Sequence, residues 1–176
     1  VFKNKDDKPW STVAFEAQLS IAEANLKEGL THIAKRHMDN MQSYFEKDSE
    51  KIGDLLRTRY HLCLFRASYL SDLGDPNCLF PDRHKAIRKA EEELEKAEMY
   101  LTRRLKHYEK LSELPQSNLH PQFFFLSRVY AHRAKLYIFF SSYMQKLTPL
   151  ETLLKPIELL EKARIYAARD GDPSLY

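Results

Sequence analysis

LEKAEMYLTRR, at residues 94–104, recurs as LEKARIYAARD at residues 160–170. The two segments agree at six of eleven positions, and LKEGLTHIAKR at 26–36 begins 68 residues before the first of them. Separations of 68 and 66 residues indicate a repeated unit of about 67 residues, present about two and a half times. Apolar residues in these segments recur every three or four positions, as in amphipathic helices. The chain is therefore predicted to be a helical repeat.

Apolar periodicity and helix-boundary residues predict five helices around this repeat. The apolar residues from Phe15 to Tyr44 form one stripe, so the first helix is predicted without a break. Asp82 is placed to cap the third helix, Pro121 suits the first turn of the fourth, and Pro156 predicts a kink or a later start in the fifth. The predicted helices span residues 11–46, 49–73, 82–113, 121–146 and 149–169.

Composition agrees with a helical fold. Only 4 of the 176 residues are glycine, whereas an average composition would supply about 12, and sandwiches, barrels and phosphate-binding loops need glycine at their turns. No apolar stretch approaches the roughly 18–20 residues of a membrane span. We therefore predict a single all-α domain over 1–176, with a lone helix at 11–46 and antiparallel long helical hairpins at 49–113 and 121–170.

This arrangement leaves helical faces without a neighbour at both ends. The chain also lacks an initiator Met, so we expect it to be a segment of a longer protein. An uncovered end of a repeat array exposes an apolar stripe. We expect either a further helix after Tyr176 in the native protein or self-association of this segment through its open ends.

Parts of the chain resemble the tetratricopeptide repeat. Residues 66–75, RASYLSDLGD, are similar to the end of the first helix of that repeat, and residues 157–163, IELLEKA, are similar to its second helix. The resemblance covers about 52–170. It implies hairpins stacked as a right-handed superhelix or solenoid segment, with a concave surface that is lined by the first helix of each hairpin and binds peptides. It therefore implies a protein–protein interaction scaffold.

Two features depart from that family. The unit here is nearly twice the 34-residue repeat, and Trp10 lies outside the motif. A narrower likeness is to the kinesin-binding protein family, whose repeats also have long helices. It is carried by PQFFFL at 121–126 and RAKLY at 133–137.

Basic residues recur at matching places in the two complete hairpins. Arg59 and Arg66 are seven residues apart, which places them on one helical face, and Arg128 and Lys135 follow 69 residues later with the same spacing. Such cations beside tyrosines suit an acidic or carboxylate-bearing peptide. The alternative is that the arginines are ordinary surface residues and the tyrosines pack between helices. The predicted partner-binding residues are Arg59, Arg66, Arg128, Lys135, Tyr130 and Tyr137.

Residue patterns typical of catalysis, metal sites or cofactor sites are not found in the sequence. His32 and His37 are five residues apart and point to different sides of a helix. Cys63 and Cys78 cannot form a four-cysteine zinc site. The carboxylates at 91–93 alternate with lysines in a pattern typical of a solvated helix face. We expect no enzyme activity, no metal and no cofactor.

The competing functional class is a basic helical domain that binds RNA or another nucleic acid. Basic clusters at 35–37, 83–89 and 103–107 favour this class, but the net charge is only +3, and several of these residues suit the ends of helices. The cysteine content and an N-terminal stretch without an apolar signal segment indicate the cytoplasm or another reducing intracellular compartment.

Overall fold

The computed structural model describes residues 12–70, 82–110, 119–143 and 148–170. In these ranges the chain forms helices and no strand, so the all-α prediction is confirmed there. Two short 3-10 turns, Ser49–Lys51 and Ser141–Tyr143, accompany the α-helices. The helices are α1 (Thr12–Lys27), α2 (Thr31–Asp48), α3 (Asp54–Tyr69), α4 (Arg83–Glu109), α5 (His120–Phe140) and α6 (Pro149–Asp170).

The prediction of one unbroken helix over 11–46 is wrong. α1 ends at Lys27, and Gly29 has φ +75°, a left-handed conformation that glycine adopts without a Cβ clash. Leu30, expected in the buried stripe, is exposed, and the buried positions of the next helix begin at Ala34. The apolar pattern seemed continuous because α1 and α2 bury their stripes in the same core.

The observed helix boundaries agree with the predicted ones where a capping residue or a proline marks them. The Asp82 carboxylate accepts hydrogen bonds from the backbone N–H groups of His84 and Lys85, which confirms the predicted cap. Pro121 lies in the first turn of α5. α6 begins at Pro149 and continues past the buried Pro156, so a later start is not seen.

Other predicted boundaries differ or lie outside the described residues. Ser49 begins a 3-10 turn and not the predicted α-helix. α3 starts only at Asp54, after Gly53 in an extended conformation. α3, α4 and α5 end at Tyr69, Glu109 and Phe140, before the predicted ends at 73, 113 and 146. Those predicted end positions lie outside the described ranges, as does Cys78.

Two apolar clusters form the interior, and α3 contributes to both. Tyr60 and Cys63 of α3 pack with α1 and α2, whereas Phe65 packs with α4, α5 and α6. The closest helix pairs are α1 with α2, α3 with α4, and α5 with α6, and α1 also contacts α3 while α4 contacts α5. α3 is therefore the helix through which the two clusters are joined.

Polar contacts join the start of one helix to the end of the helix that it packs against. Asp54, at the start of α3, bonds Arg103 near the end of α4. Arg83, at the start of α4, donates to the carbonyl of Tyr69 at the end of α3, with 2.8 Å between Nη1 and the oxygen. In the last pair, Nδ1 of His120 lies 3.3 Å from a carboxylate oxygen of Asp170.

Candidate functional site

A groove with a cavity of about 360 Å³ lies between α1, α3 and α5. Each helix contributes a basic residue and at least one apolar or aromatic residue, although the three helices are far apart in sequence. Packing of the three helices is therefore what brings these residues together in one groove. Its lining residues are Glu23, Leu26 and Lys27 of α1, Arg59, Leu62, Cys63, Phe65 and Arg66 of α3, and Phe124, Phe125, Arg128 and His132 of α5.

The structure brings three of the four predicted cations to this groove. Arg59, Arg66 and Arg128 line it, and Lys135 is an exposed residue two turns beyond Arg128 on α5. No carboxylate in the described parts of the chain forms an ion pair with Arg66, Arg128, Lys135 or the additional groove residue Lys27. The charges of these four side chains are therefore not balanced by an ion pair within the described residues.

Arg59 differs from the other cations because it is already paired. Its Nε and Nη2 atoms donate to the two carboxylate oxygens of Glu23 at 3.0 and 2.6 Å, and Nη2 also donates to Ser20 at 3.2 Å. The hydrogen bonds to Glu23 raise the pKa of the Arg59 guanidinium. Arg59 consequently joins α3 to α1 and contributes little free charge to the groove.

The two predicted tyrosines lie on a different face of α5. The hydroxyl of Tyr130 donates to Glu98, and that of Tyr137 donates to Glu91, each at 2.6 Å. Burial and these hydrogen bonds to α4 raise the pKa of both phenols. Tyr130 also stacks on Tyr166 of α6, with ring centroids 5.7 Å apart. The tyrosines therefore pack between helices and do not line the groove.

Aromatic side chains give the groove an apolar surface beside its cations. The guanidinium of Arg128 lies over the Phe124 ring, 4.3 Å from its centroid. Phe124 and Phe125 meet edge to face, with centroids 5.3 Å apart. Phe65 is buried at the same site. The combination favours a ligand that carries both negative charge and apolar groups.

His132 is a groove residue that the sequence did not assign to partner binding, although it lies four residues after Arg128. Its ring lies 4.8 Å from that of Phe65, between centroids. Burial, together with the positive charges of Lys135, Arg128 and Arg66, lowers the pKa of His132 to about 4. Its spacing of four from Arg128 was the only available signal, and that spacing is common in any helix.

Replacing His132 by Gln is expected to reduce the acid sensitivity of the fold. In the unfolded chain His132 binds a proton near pH 6.5, and in the folded chain only near pH 4. The free energy of unfolding that the neutral imidazole preserves is therefore fully present above pH 6.5 and is lost as the pH drops to 4. This group accounts for about 3 kcal/mol of that loss. Urea unfolding at pH 7, 5.5 and 4 measures the free energy of unfolding of both chains. An equal loss of stability with falling pH in the native chain and in the variant would contradict a lowered pKa of His132.

A second polar cluster, buried between α3 and α4, corrects the interpretation of residues 91–93 as solvated. Glu93 is 1% exposed and His61 is also buried. Nδ1 of His61 lies 2.5 Å from Oε2 of Glu93, and the ammonium groups of Lys89 and Lys96 lie 2.8 and 2.9 Å from Oε1. An ionised carboxylate can only accept, so Nδ1 carries the proton in this bond. The arrangement ties α3 to α4.

The electrostatics of this cluster stabilise the Glu93 carboxylate. Burial by itself would raise the pKa of Glu93, but the hydrogen bonds from His61, Lys89 and Lys96 outweigh it and lower that pKa to about 2. The His61 ring is stacked on Tyr100 with centroids 5.5 Å apart and meets Phe45 edge to face. An adjoining cavity of about 320 Å³ is lined in part by His61 and Glu93.

Several other findings bear on function. Burial raises the pKa of the Cys63 thiol to about 12, so it is a poor nucleophile. Within the four described ranges, no group of three or more His, Cys, Asp or Glu side chains could hold a metal ion. No helix in those ranges is long and apolar enough to cross a membrane.

No protein-family model, curated protein or solved structure matches the chain.

Proposed function

We propose that the chain is a protein–protein interaction scaffold whose groove between α1, α3 and α5 binds an acidic peptide or helix. The observation that carries this proposal is the convergence of Arg66 and Arg128 at one groove without a carboxylate partner among the described residues. Lys27 adds a third cation from α1. Cations that are not paired within the fold are available to a ligand.

The groove suits a peptide with alternating acidic and apolar side chains. Carboxylates of such a peptide would accept charge-assisted hydrogen bonds from the two guanidinium groups, each contributing about 1.5–3 kcal/mol when partly desolvated. Apolar side chains of the same peptide would cover Phe124 and Phe125, which line the groove together with Arg128 and are only partly buried. Apolar burial would make part of the affinity insensitive to salt.

We further propose that the helices form a tetratricopeptide-like array of three antiparallel hairpins, stacked as a right-handed superhelical segment. The hairpins would be α1–α2, α3–α4 and α5–α6, which are the closest helix pairs. Their first helices line the groove, as the concave surface of such an array requires. The buried thiol of Cys63 is in keeping with a reducing intracellular compartment, where we expect the protein to act.

Binding of two fluorescent probes tests the proposed ligand class. One probe is a peptide in which Glu and Asp alternate with Leu and Phe, and the other is a single-stranded RNA of equal net charge. We expect the peptide to bind and to keep most of its affinity between about 50 and 200 mM salt, whereas contacts to phosphates alone weaken steeply over that range. RNA that binds more tightly than the peptide, with a steep salt dependence, would refute the proposal in favour of nucleic-acid binding.

A further inference from the structure

His132 brings an imidazole to the groove between α1, α3 and α5. The side chain is partly exposed there, and neither ring nitrogen has a hydrogen-bond partner in the described parts of the chain. Other histidines of the fold are already bonded: His37 contacts Gln18, and His61 contacts Glu93. The ring nitrogens of His132 can therefore bond a ligand that occupies the groove.

The position of the ring places it beside the two unpaired arginines. Its centroid lies 4.8 Å from that of Phe65, which is buried on α3. Arg66 follows Phe65 directly, and Arg128 lies one turn before His132 on α5, so the two helices bring both guanidinium groups to the same part of the groove. A peptide carboxylate that bonds these guanidinium groups would lie close to the imidazole.

The charged groups around His132 are mostly positive. Glu23 is the acidic residue that lines the groove, and its carboxylate is already bonded to Arg59. Without a ligand, the surroundings therefore disfavour a further positive charge on His132, in agreement with its lowered pKa of about 4. The charged and titratable residues that line the groove or lie beside His132 on α5 are Glu23 and Lys27 of α1, Arg59, Cys63 and Arg66 of α3, and Arg128 and Lys135 of α5.

A bound carboxylate would reverse this balance. Its negative charge would offset those of Arg66 and Arg128, and an opposite charge within about 4–6 Å favours the charged form of a titratable group. The imidazole could then take a proton from the solvent and donate it to the carboxylate in a charge-assisted hydrogen bond. Since the two equilibria share one site, proton uptake and peptide binding would strengthen each other equally.

We propose that His132 is a ligand contact that binds a proton together with the acidic peptide, so that the groove holds this peptide more tightly at acidic pH. The inference rests on the proposed function and adds a regulating ligand, the proton, to the same site. Arg66 and Arg128 stay charged over the whole range and supply the constant part of the affinity. The Cys63 thiol, with a pKa raised to about 12, does not titrate there.

Fluorescence anisotropy with the acidic peptide probe at pH 7.5 and 5.5 tests the coupling. The carboxyl groups of the probe are more than about nine-tenths ionised at both pH values. If the bound peptide restores the ordinary His132 pKa of 6.5, the native chain should bind about tenfold more tightly at pH 5.5. His132→Gln should bind equally at both pH values. His32→Gln, at an exposed position of α2 outside the groove, is the matched control and should keep the native increase.

Titration calorimetry at pH 5.5, in two buffers with different ionisation enthalpies, counts the protons. We expect the native chain to take up about 0.9 proton for each peptide bound, and His132→Gln to take up almost none. Equal affinity of the native chain at both pH values, or uptake that persists in His132→Gln, would overturn the inference and leave the proposed peptide binding intact. Absence of peptide binding at both pH values would overturn both.

Discussion

Replacing Glu93 by Gln is expected to lower the free energy of unfolding by about 3–5 kcal/mol, the usual cost of removing one partner from a buried ion pair. The variant leaves His61, Lys89 and Lys96 facing a neutral amide in a site where the carboxylate is 1% exposed. For a chain of this length the melting temperature should fall by about 10 °C. Urea unfolding monitored by circular dichroism measures the change.

The neighbouring carboxylate provides the control for this prediction. Glu92 is exposed and lies 3.6 Å from the ammonium of Lys89, so Glu92→Gln should change stability by less than about 0.5 kcal/mol. Equal effects of the two substitutions would show that the buried cluster does not stabilise the fold. The contribution of Glu93 is present above pH 4.5 and disappears as the pH falls towards 2, because its folded pKa is lowered.

The repeat suggests a rescue of the Glu93 substitution. The position of α6 that corresponds to Glu93 is Leu159, which is equally buried, so an apolar residue fits this place in the helix. The double variant His61→Phe with Glu93→Leu should therefore be more stable than Glu93→Gln alone, since no fully buried polar group is left without a partner and the Lys89 and Lys96 side chains are partly exposed to water. A double variant less stable than the single one would indicate that the pair is needed for packing as well as for charge.

Changing Arg66 and Arg128 together to Ala is expected to weaken binding of the acidic peptide probe by more than tenfold, or at least about 1.4 kcal/mol. Both guanidinium groups line the groove, and neither has a carboxylate partner among the described residues. Their loss should therefore leave helicity and stability nearly unchanged. Fluorescence anisotropy with the probe measures the affinity, and circular dichroism checks the fold.

Two matched variants separate groove binding from general charge effects. Arg36→Ala with Arg88→Ala removes the same charge from exposed sites on α2 and α4 outside the groove, so it should change affinity less than twofold at moderate salt. Arg59→Ala should mainly lower stability, because Arg59 bonds Glu23 across α1 and α3. If the two double variants weaken binding equally, the cations act only through net charge and the groove is not the binding site.

Local signals in the sequence were enough to predict the helical class and several helix boundaries. Asp82 caps α4 because its side chain reaches the first free backbone N–H groups, and Pro121 and Pro149 lie at helix starts because they lack an N–H to donate. The cations at 59, 66 and 128 could be assigned to one surface because helical spacing and repeat offset both placed them at equivalent positions. The cap and proline inferences use residues within one turn of each other, whereas the assignment of the cations also uses the repeat.

Tertiary packing decided the features that depend on which helix faces which. Gly29 divides the first predicted helix into α1 and α2, and periodicity alone cannot show this because both helices bury their stripes in one core. Glu93 is buried and its neighbour Glu92 is exposed, although both belong to the same acidic run, because only Glu93 faces His61 on α3. Tyr130 and Tyr137 contact α4 and not the groove, since α5 has neighbours on both sides. The sequence by itself thus determined which residues share a helix face, whereas the partner of each face was decided by the assembly of the helices, because burial depends on contacts between residues distant in the chain.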